Sequence, residues 1–574
     1  MTAKTQKNKV AVIGAGALGL MALKQLKEDG FEVTGFESRP YVGGLWKDTD
    51  DSTLSVHATT IFNTSKFRAA MSDFPFPEEA DIYPTAAQIY DYLTSYADHF
   101  DLKKHVRVNT RVKQILHETD QWSLQVEDGA SGTTSTHTFD RVCVATGSFY
   151  KPRWPRIDGI ETFEGKVLHS IDFHGSAPFK DKNVLIVGMH ATAQDVTNAL
   201  SNAAKHVYLS HRHGIVFLPR FTEQGEPSDT QMRMPFLMVQ SWFEMNAPKV
   251  WMFLLDKMLN KVSNKAYPDL PEEWGLRPTP SMAVATPLMA DTIYALLESG
   301  FAESVPSVRK VIGSRSVELT NGRVLSDIDT ILYCTGYHMS LPENLIPKPS
   351  SISSSLEASS ETNADPIAYD PYPNGPGPNP YLYLNIFPLT PDPAIYSTLA
   401  FIGQGATIYP GFVQYELQSA AISQVWRGRR SLPPHTQMLQ WHTEHSAARA
   451  AKAKRYNAPV GGTFYPGLVD FGHYFTWLDD TAGTGIFDNL GGKFNGLFNW
   501  RTWNLWWRDR ELYDLVVKGI LTPTVYRAFD MGGRKALPAE EVKKRLRRDN
   551  EVFDRAVKRK RIEMQLQKTM KKEL

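Results

Sequence analysis

An α/β fold with two nested, three-layer, mostly parallel sheets and a helical, aromatic-rich C-terminal extension follows from three features of this 574-residue chain. The first is an apolar strand pattern, Val10-Ala11-Val12-Ile13, that runs into Gly14-Ala15-Gly16-Ala17-Leu18-Gly19 and then into a helical pattern. The second is a recurrence of that grammar, where Val184-Leu185-Ile186-Val187 runs into Gly188-Met189-His190-Ala191-Thr192-Ala193. The third is a shared ending: each unit closes on an apolar strand and a glycine turn, Asp140 to Gly147 in one and Asp329 to Tyr337 in the other. Each unit carries the strand-turn-helix signature of a Rossmann-type dinucleotide-binding domain.

In the first turn, Gly14 permits the tight bend, Gly16 lets a pyrophosphate approach the backbone and Gly19 permits close helix packing. The helix N-terminus then offers free N–H groups to phosphate. The next strand, Glu32 to Phe36, closes on Glu37, whose carboxylate can accept hydrogen bonds from a ribose diol. In the second unit the strand from His206 to Leu209 leads into Ser210-His211-Arg212, and the Arg212 guanidinium suits a ribose 2′-phosphate. An unphosphorylated adenine dinucleotide in one site and NADPH in the other is the arrangement of a flavin enzyme fed by a nicotinamide. His190 stands where a second glycine would let the pyrophosphate approach, and its Cβ narrows that approach. A degenerate second unit without a nicotinamide therefore stays open; Arg212 and the hydroxyls of Thr192 and Ser210 argue against it.

The length exceeds one hydrophobic core, and the pattern divides it into five parts. Residues 1–172 read as the first part of the FAD-binding domain, and 173–340 as the NADPH-binding domain with an inserted segment at 220–285. Residues 341–380, Ser-rich and then Pro/Gly-rich, read as a surface insertion. Residues 381–450 return to the first domain through a strand at Leu399 and a glycine turn containing Gln404. Residues 451–574 form the helical extension. Met232 to Lys265, rich in Met, Trp and Phe, is expected to wrap the active-site mouth or line a substrate channel. Trp500, Trp503, Trp506 and Trp507 are expected to cap a core. Leu546, Phe553, Val557 and Met564 fall on one helix face that is expected to dock on the body.

Formal net charge is +1, which gives no case for a nucleic-acid partner. The tail from Glu541 to Leu574 is locally basic, with 13 Lys and Arg against 6 Asp and Glu, and leaves peripheral contact with a membrane open. Its last residues, Lys571-Lys572-Glu573-Leu574, resemble a dilysine endoplasmic-reticulum retrieval signal. Met1 to Lys9 is polar, so no secretory signal is expected. The apolar stretches Pro235 to Leu259 and Phe494 to Leu521 are broken by charges, so neither is expected to span a membrane. A cytoplasmic enzyme is expected, with association at the endoplasmic-reticulum surface left open. The two cysteines, Cys143 and Cys334, read as buried, reduced core thiols, and no metal site is indicated.

Further motifs resemble the flavin-containing monooxygenases. Gly43-Gly44-Leu45-Trp46 stands where that family places G-G-x-W along FAD, and Asn63-Thr64-Ser65-Lys66 with Ser72-Asp73-Phe74-Pro75 matches its N-T-S-K and S-D-F-P run. The segment from Phe163 through Gly165 and His169 to Phe173 fits the fingerprint F-x-G-x-x-x-H-x-x-x-F/Y. The match covers roughly residues 8 to 340, thins through 341 to 450 and is loose beyond, by the same motif criteria. It implies FAD and NADPH as cofactors, with a C4a-hydroperoxyflavin that places one oxygen of O2 on a soft nitrogen or sulfur nucleophile of a small molecule. Asn63 matches the catalytic Asn whose amide works beside NADP⁺; a turn-forming Asn bonded to its own backbone is the alternative. Cofactor contacts are implied in the first unit at Gly14, Gly16, Ala17, Leu18, Gly19, Glu37, Gly44, Leu45, Trp46, Asn63, Thr64, Thr146, Gly147 and Gln404. In the second unit they are implied at Gly188, Thr192, Asp195, Ser210 and Arg212. His169 is expected to pack between domains rather than to carry protons.

Three other readings bear on the same fold. Baeyer–Villiger oxidation of a ketone requires a basic partner, usually Arg, at the flavin, which the sequence does not place, and Phe173 favours heteroatom oxidation. A disulfide reductase requires a redox-active cysteine pair, and the two cysteines lack that spacing. An uncoupled NADPH oxidase or a non-catalytic flavin-binding protein stays open through His190.

Overall fold

The computed structural model describes residues 8–49, 54–58, 60–149, 151–338, 381–405, 407, 411–458, 467–491 and 499–573. The insertion expected at 341–380 lies outside the described residues. Lys9–Ile13 is the middle strand of a five-stranded sheet, ordered Leu399–Phe401, Arg141–Val144, Lys9–Ile13, Glu32–Phe36, Val106–Arg107. Every neighbouring pair in it is parallel. A central parallel strand is covered on both faces, so its residues read as a continuous apolar run, and Val10, Ala11 and Val12 are fully buried.

The second sheet repeats this plan around Asn183–Val187, in the order Ala302–Pro306, His206–His211, Asn183–Val187, Thr330–Tyr333, Lys166–His169, again all parallel. Leu399–Phe401 lies beyond this sheet in sequence yet pairs with Val142–Val144 of the first, so one unit interrupts the other. The strand Lys166–His169 corrects the boundary set at 172. Lys166 N–H donates to the Asp329 carbonyl at 2.9 Å, and Val167 and Leu168 pack into the cores on the second sheet's two faces, so the second unit begins before this strand. Between the units, Lys151–Pro152 pairs antiparallel with Tyr337–His338.

The inserted segment forms two helices, Met234–Asn246 and Pro248–Ala266. Met234, Leu237 and Met238 of the former enter the first unit's core together with Tyr474, Phe475 and Leu478 of helix Phe471–Ala482. The helix His435–Arg455 runs straight through position 450, so no boundary falls there. Trp500, Trp503 and Trp507 do not cap a core, being 69%, 55% and 81% exposed. On helix Trp500–Arg508 these positions share the outward face while Leu505 packs inward. The last helix, Ala539–Glu573, buries Leu546, Phe553 and Val557 against the body.

No described helix is long and apolar enough to cross a membrane. Both cysteines are unbridged and buried, and burial pushes the Cys143 thiol up to about 12.

Candidate active site

Strand Lys9–Ile13 delivers the chain to Gly14, whose φ is +98° and whose Cβ, if present, would lie 2.6 Å from the Ala145 carbonyl oxygen. A Cβ on Gly19 would lie 1.8 Å from the Gly14 carbonyl oxygen, so the helix can seat on the turn only with glycine there. Gly16 N-caps helix Ala17–Glu28 without a side-chain cap, which leaves the first-turn N–H groups of Ala17, Leu18 and Gly19 for another acceptor. Gly43-Gly44-Leu45-Trp46 crosses this turn. Gly43 N–H donates to Ala15 O at 2.9 Å, and a Cβ on Gly44 would approach Gly16 Cα to 2.9 Å. Glu37 is buried at the end of the second strand, where its Oε2 accepts the Ala15 N–H at 2.8 Å and its Oε1 the Arg39 N–H at 3.0 Å.

The other strand ends converge on the same edge. Thr146 and Gly147 follow Arg141–Val144, and Gln404 follows Leu399–Phe401. Gln404 is 2% exposed, and its Oε1 is buried without a hydrogen-bond partner among the described residues. An orphaned buried acceptor costs about 1–3 kcal/mol. The glycine cradle and this unmet acceptor therefore fit a polar cofactor lying across the strand ends, as a flavin dinucleotide would.

Asn63 is exposed on the same unit, after Phe62, whose ring meets Trp46 edge to face at 5.2 Å. Thr64 beside it is half-buried. The Asn63 Oδ1 accepts from Arg220 Nη2 at 3.3 Å. Because a guanidinium only donates, the oxygen must face it, which turns the Asn63 amide nitrogen and its two donors away from Arg220. The N–H an Asx turn would use, that of Ser65, donates instead to Asp229 Oδ2 at 2.7 Å. Arg220 is 5% exposed. Its Nη1 lies 3.5 Å from Asp291 Oδ2, its carbonyl accepts from the Tyr83 hydroxyl at 2.6 Å, and its Nε is buried without a partner among the described residues.

The second glycine turn is built alike but tighter. Gly188 has φ +133°, and a Cβ there would meet Cys334 O at 2.4 Å. His190 N-caps helix Ala191–Leu200 in extended conformation, and its Nε2 lies 3.0 Å from Thr286 Oγ1. Burial drives the His190 imidazole down to about 4, so it is neutral at physiological pH. Thr192 is exposed in the first helical turn, and Arg212 is exposed just past strand His206–His211. Asp195 points across the units: its carboxyl bonds the Thr60 side chain and feels Arg220, while burial raises it to about 7.

Residues 7–349 match the family model described as flavin-binding monooxygenase-like. The chain belongs to that family. It is 32% identical over 531 residues to monooxygenase aurF of Gibberella zeae, across 92% of this chain and 95% of that protein. It is 30% identical over 445 residues to dimethylaniline monooxygenase (N-oxide-forming) 2 of Pan troglodytes, across 75% of each. Among solved structures, S-allyl-L-cysteine S-oxygenase from Allium sativum matches with a TM-score of 0.56 at 20% identity over 95% of this chain and 98% of that one. The OTEMO complex with FAD and NADP matches at 0.59 and 17% identity over 83% and 98%. These likenesses show the shared fold.

In this flavin-dependent monooxygenase, the first-unit positions gather at one edge of the first sheet. Ser210 of the second unit is held by its neighbouring strand. Its Oγ donates to Pro306 O at 3.1 Å and accepts Val308 N–H at 3.1 Å, which leaves the hydroxyl one acceptor lone pair and no proton to donate. His169 is fully buried; its Nδ1 accepts the Ile171 N–H at 3.2 Å and its Nε2 faces Gly336 O at 3.1 Å, so both ring nitrogens serve the backbone. The enzyme also brings in Arg220, Asp229 and Asp291, which sequence reasoning missed. Arg220 lies 157 residues from Asn63 in no recognisable motif, so no local signal marked it.

Proposed function

We propose that the enzyme oxidises NADPH and uses FAD to place one oxygen of O2 on a soft nitrogen or sulfur nucleophile of a small molecule, releasing the other oxygen as water. FAD, when bound and reduced, supplies the oxygen activation, through the C4a-hydroperoxyflavin that the family resemblance implies. The observation that carries this reading is the Asn63–Arg220 contact, which sets a donor amide at the seam of the two glycine-turn units. Gly14, Gly16 and Gly19 would seat the flavin pyrophosphate and Glu37 its ribose. Gly188 and Thr192 would seat the nicotinamide pyrophosphate, and Arg212 the 2′-phosphate. Asn63, its oxygen tied to Arg220, would donate from its amide nitrogen to the group next to the flavin. Stopped-flow absorbance tests the reading: the protein is reduced with NADPH and mixed with oxygenated buffer. A lasting species absorbing between oxidised and reduced flavin supports it; direct return to oxidised flavin with peroxide makes the protein an oxidase.

Baeyer–Villiger oxidation of a ketone is the second reading, and Arg220 is what favours it. Its buried guanidinium, with Nε unmatched, is the basic partner that a nucleophilic oxygen anion requires. Product analysis with paired sulfide and ketone substrates separates the two: sulfoxide alone supports the first, ester the second.

We also propose peripheral membrane contact through the basic tail, where Ile562, Leu566 and Met570 remain 51%, 62% and 63% exposed past the docked part of the helix. Failure to sediment with anionic vesicles would remove this proposal.

A further inference from the structure

The linker between the two sheets holds an arginine that no motif accounts for. Arg141–Val144 ends in the first sheet and Lys166–His169 opens in the second, and Arg153 lies between them. Beside it, Lys151–Pro152 pairs with Tyr337–His338 on the segment leaving the second sheet. Arg153 N–H donates to Gly336 O at 3.0 Å, and Thr335 Oγ1 donates to Arg153 O at 2.5 Å. The guanidinium is tied down as well, with Nε and Nη2 donating to Thr335 O at 3.0 and 2.8 Å.

These bonds fix where the charge stands. Thr335 follows Cys334, the residue whose carbonyl oxygen would meet a Gly188 Cβ at 2.4 Å, so the guanidinium sits beside the second glycine turn. On the other side of the turn, Gly188 N–H donates to Ser210 O at 2.9 Å, two residues before Arg212. Gly188 thus lies between the segment whose carbonyl holds the Arg153 guanidinium and the strand end that leads to Arg212. Burial and the Arg212 charge together hold the Arg153 guanidinium below its usual range. His338 is lowered too, by burial and by the charges of Arg153 and Lys151. Like charges gathered at one strand edge become favourable when a doubly charged anion joins them.

We propose that Arg153 is the second guanidinium of the 2′-phosphate site, opposite Arg212, so that a phosphorylated nicotinamide dinucleotide ties the inter-sheet linker to the second unit and an unphosphorylated one does not. The inference rests on the reading of Arg212 as a 2′-phosphate contact and adds a specificity residue carried by the hinge. NADP⁺ then bridges linker and sheet, while NAD⁺ occupies the second unit alone.

Calorimetric binding of 2′,5′-ADP, NADP⁺ and NAD⁺ to the FAD-loaded protein tests it, with Arg153→Gln, Arg153→Lys and Arg212→Gln variants. Arg153→Gln is expected to weaken 2′,5′-ADP and NADP⁺ about tenfold while NAD⁺ is unchanged, with Arg153→Lys recovering part of the loss. Equal weakening of NADP⁺ and NAD⁺ would make Arg153 a scaffold residue of the linker and overturn the proposal. If Arg212→Gln erases the preference for NADP⁺ and Arg153→Gln does not, the Arg212 reading stands and this one falls; if neither does, both fall. Hydrogen exchange supplies a readout independent of affinity. NADP⁺ is expected to slow exchange at 151–154 and 336–338 more than NAD⁺ does, and equal protection by the two would refute the tie.

Discussion

Arg220 Nη2 donates to Asn63 Oδ1 at 3.3 Å, joining the two glycine-turn units. The contact fixes which end of the Asn63 amide faces outward, because Arg220 offers only donors. Asn63→Ala removes that outward donor and leaves both glycine turns intact. Flavin reduction by NADPH is therefore expected to persist, while turnover shifts from oxygenated product to peroxide. Peroxide and product are quantified per NADPH consumed, and a variant that still oxygenates with full coupling would take Asn63 out of the mechanism.

Asp195 makes stability depend on pH. Burial raises its carboxyl to about 7 from an ordinary 3.8, against the pull of Arg220 and the Thr60 bond. The folded state binds this proton more tightly than the unfolded state, so the contribution is full below the unfolded value and declines as pH rises through about 7. Asp195→Asn is expected to flatten that decline, measured as urea midpoints at about pH 5 and about pH 8. A wild-type midpoint that climbs over this range by an amount the Asn variant abolishes would contradict the sign.

The second nucleotide site combines a promoter and an obstacle. Arg212→Ala is expected to raise the Michaelis constant for NADPH about tenfold, the low end for a charged contact because the side chain is exposed, and to narrow the gap to NADH. An unchanged NADPH-to-NADH ratio would sink the assignment.

His190, driven down to about 4 by burial, carries no charge with which to meet a pyrophosphate. Its Cβ is the remaining effect. His190→Gly is expected to tighten NADP⁺ several-fold, read by calorimetry, with no His190-linked step in wild-type affinity between about pH 5.5 and about pH 8. Weaker binding in the glycine variant would mean that the His190–Thr286 contact shapes the turn.

The C-terminal extension is held by buried charge. Arg527, 1% exposed, donates to Glu28 at 3.1 Å, to Asp73 at 2.8 Å and to Ser72 Oγ at 3.1 Å, while Arg534 binds Ser72 and Glu416. Arg527→Met leaves Glu28 and Asp73 with Lys24 as their remaining shared cation, and a loss of about 3 kcal/mol, the low end for breaking a buried ion pair, is expected from denaturant unfolding. Burial pushes the Asp73 carboxyl up, but Arg527 and Lys24 outweigh it and hold it at about 2. Its stabilisation is present above its unfolded value near 3.8 and is lost as pH falls towards 2. Limited proteolysis along that acid range should release the extension progressively earlier in the Arg527 variant.

Much of the site was legible where the chemistry is local. Gly14 and Gly19 sit within one turn, and the clashes that exclude a Cβ come from the Gly14 carbonyl and the adjoining strand end, so the spacing carries the constraint. Glu37 is placed by the end of the next parallel strand, again a short-range register. The structural role of Ser210 was not legible, because the strand end at Pro306 that takes its hydroxyl proton lies far along the chain. The tryptophans at 500, 503 and 507 were misread because residue type says how much apolar surface exists, while the helix's orientation decides which side of it meets the core.

By itself the sequence determined the α/β class, the two glycine turns and the carboxylate and guanidinium that end their second strands, since each is dictated by apolar periodicity and backbone sterics over a few residues. Only the tertiary structure decided which distant groups complete the candidate site. Arg220 comes to Asn63, Asp195 to Thr60 and Arg153 to the edge of the second turn because strand order and the linker crossing bring together segments that no local pattern relates.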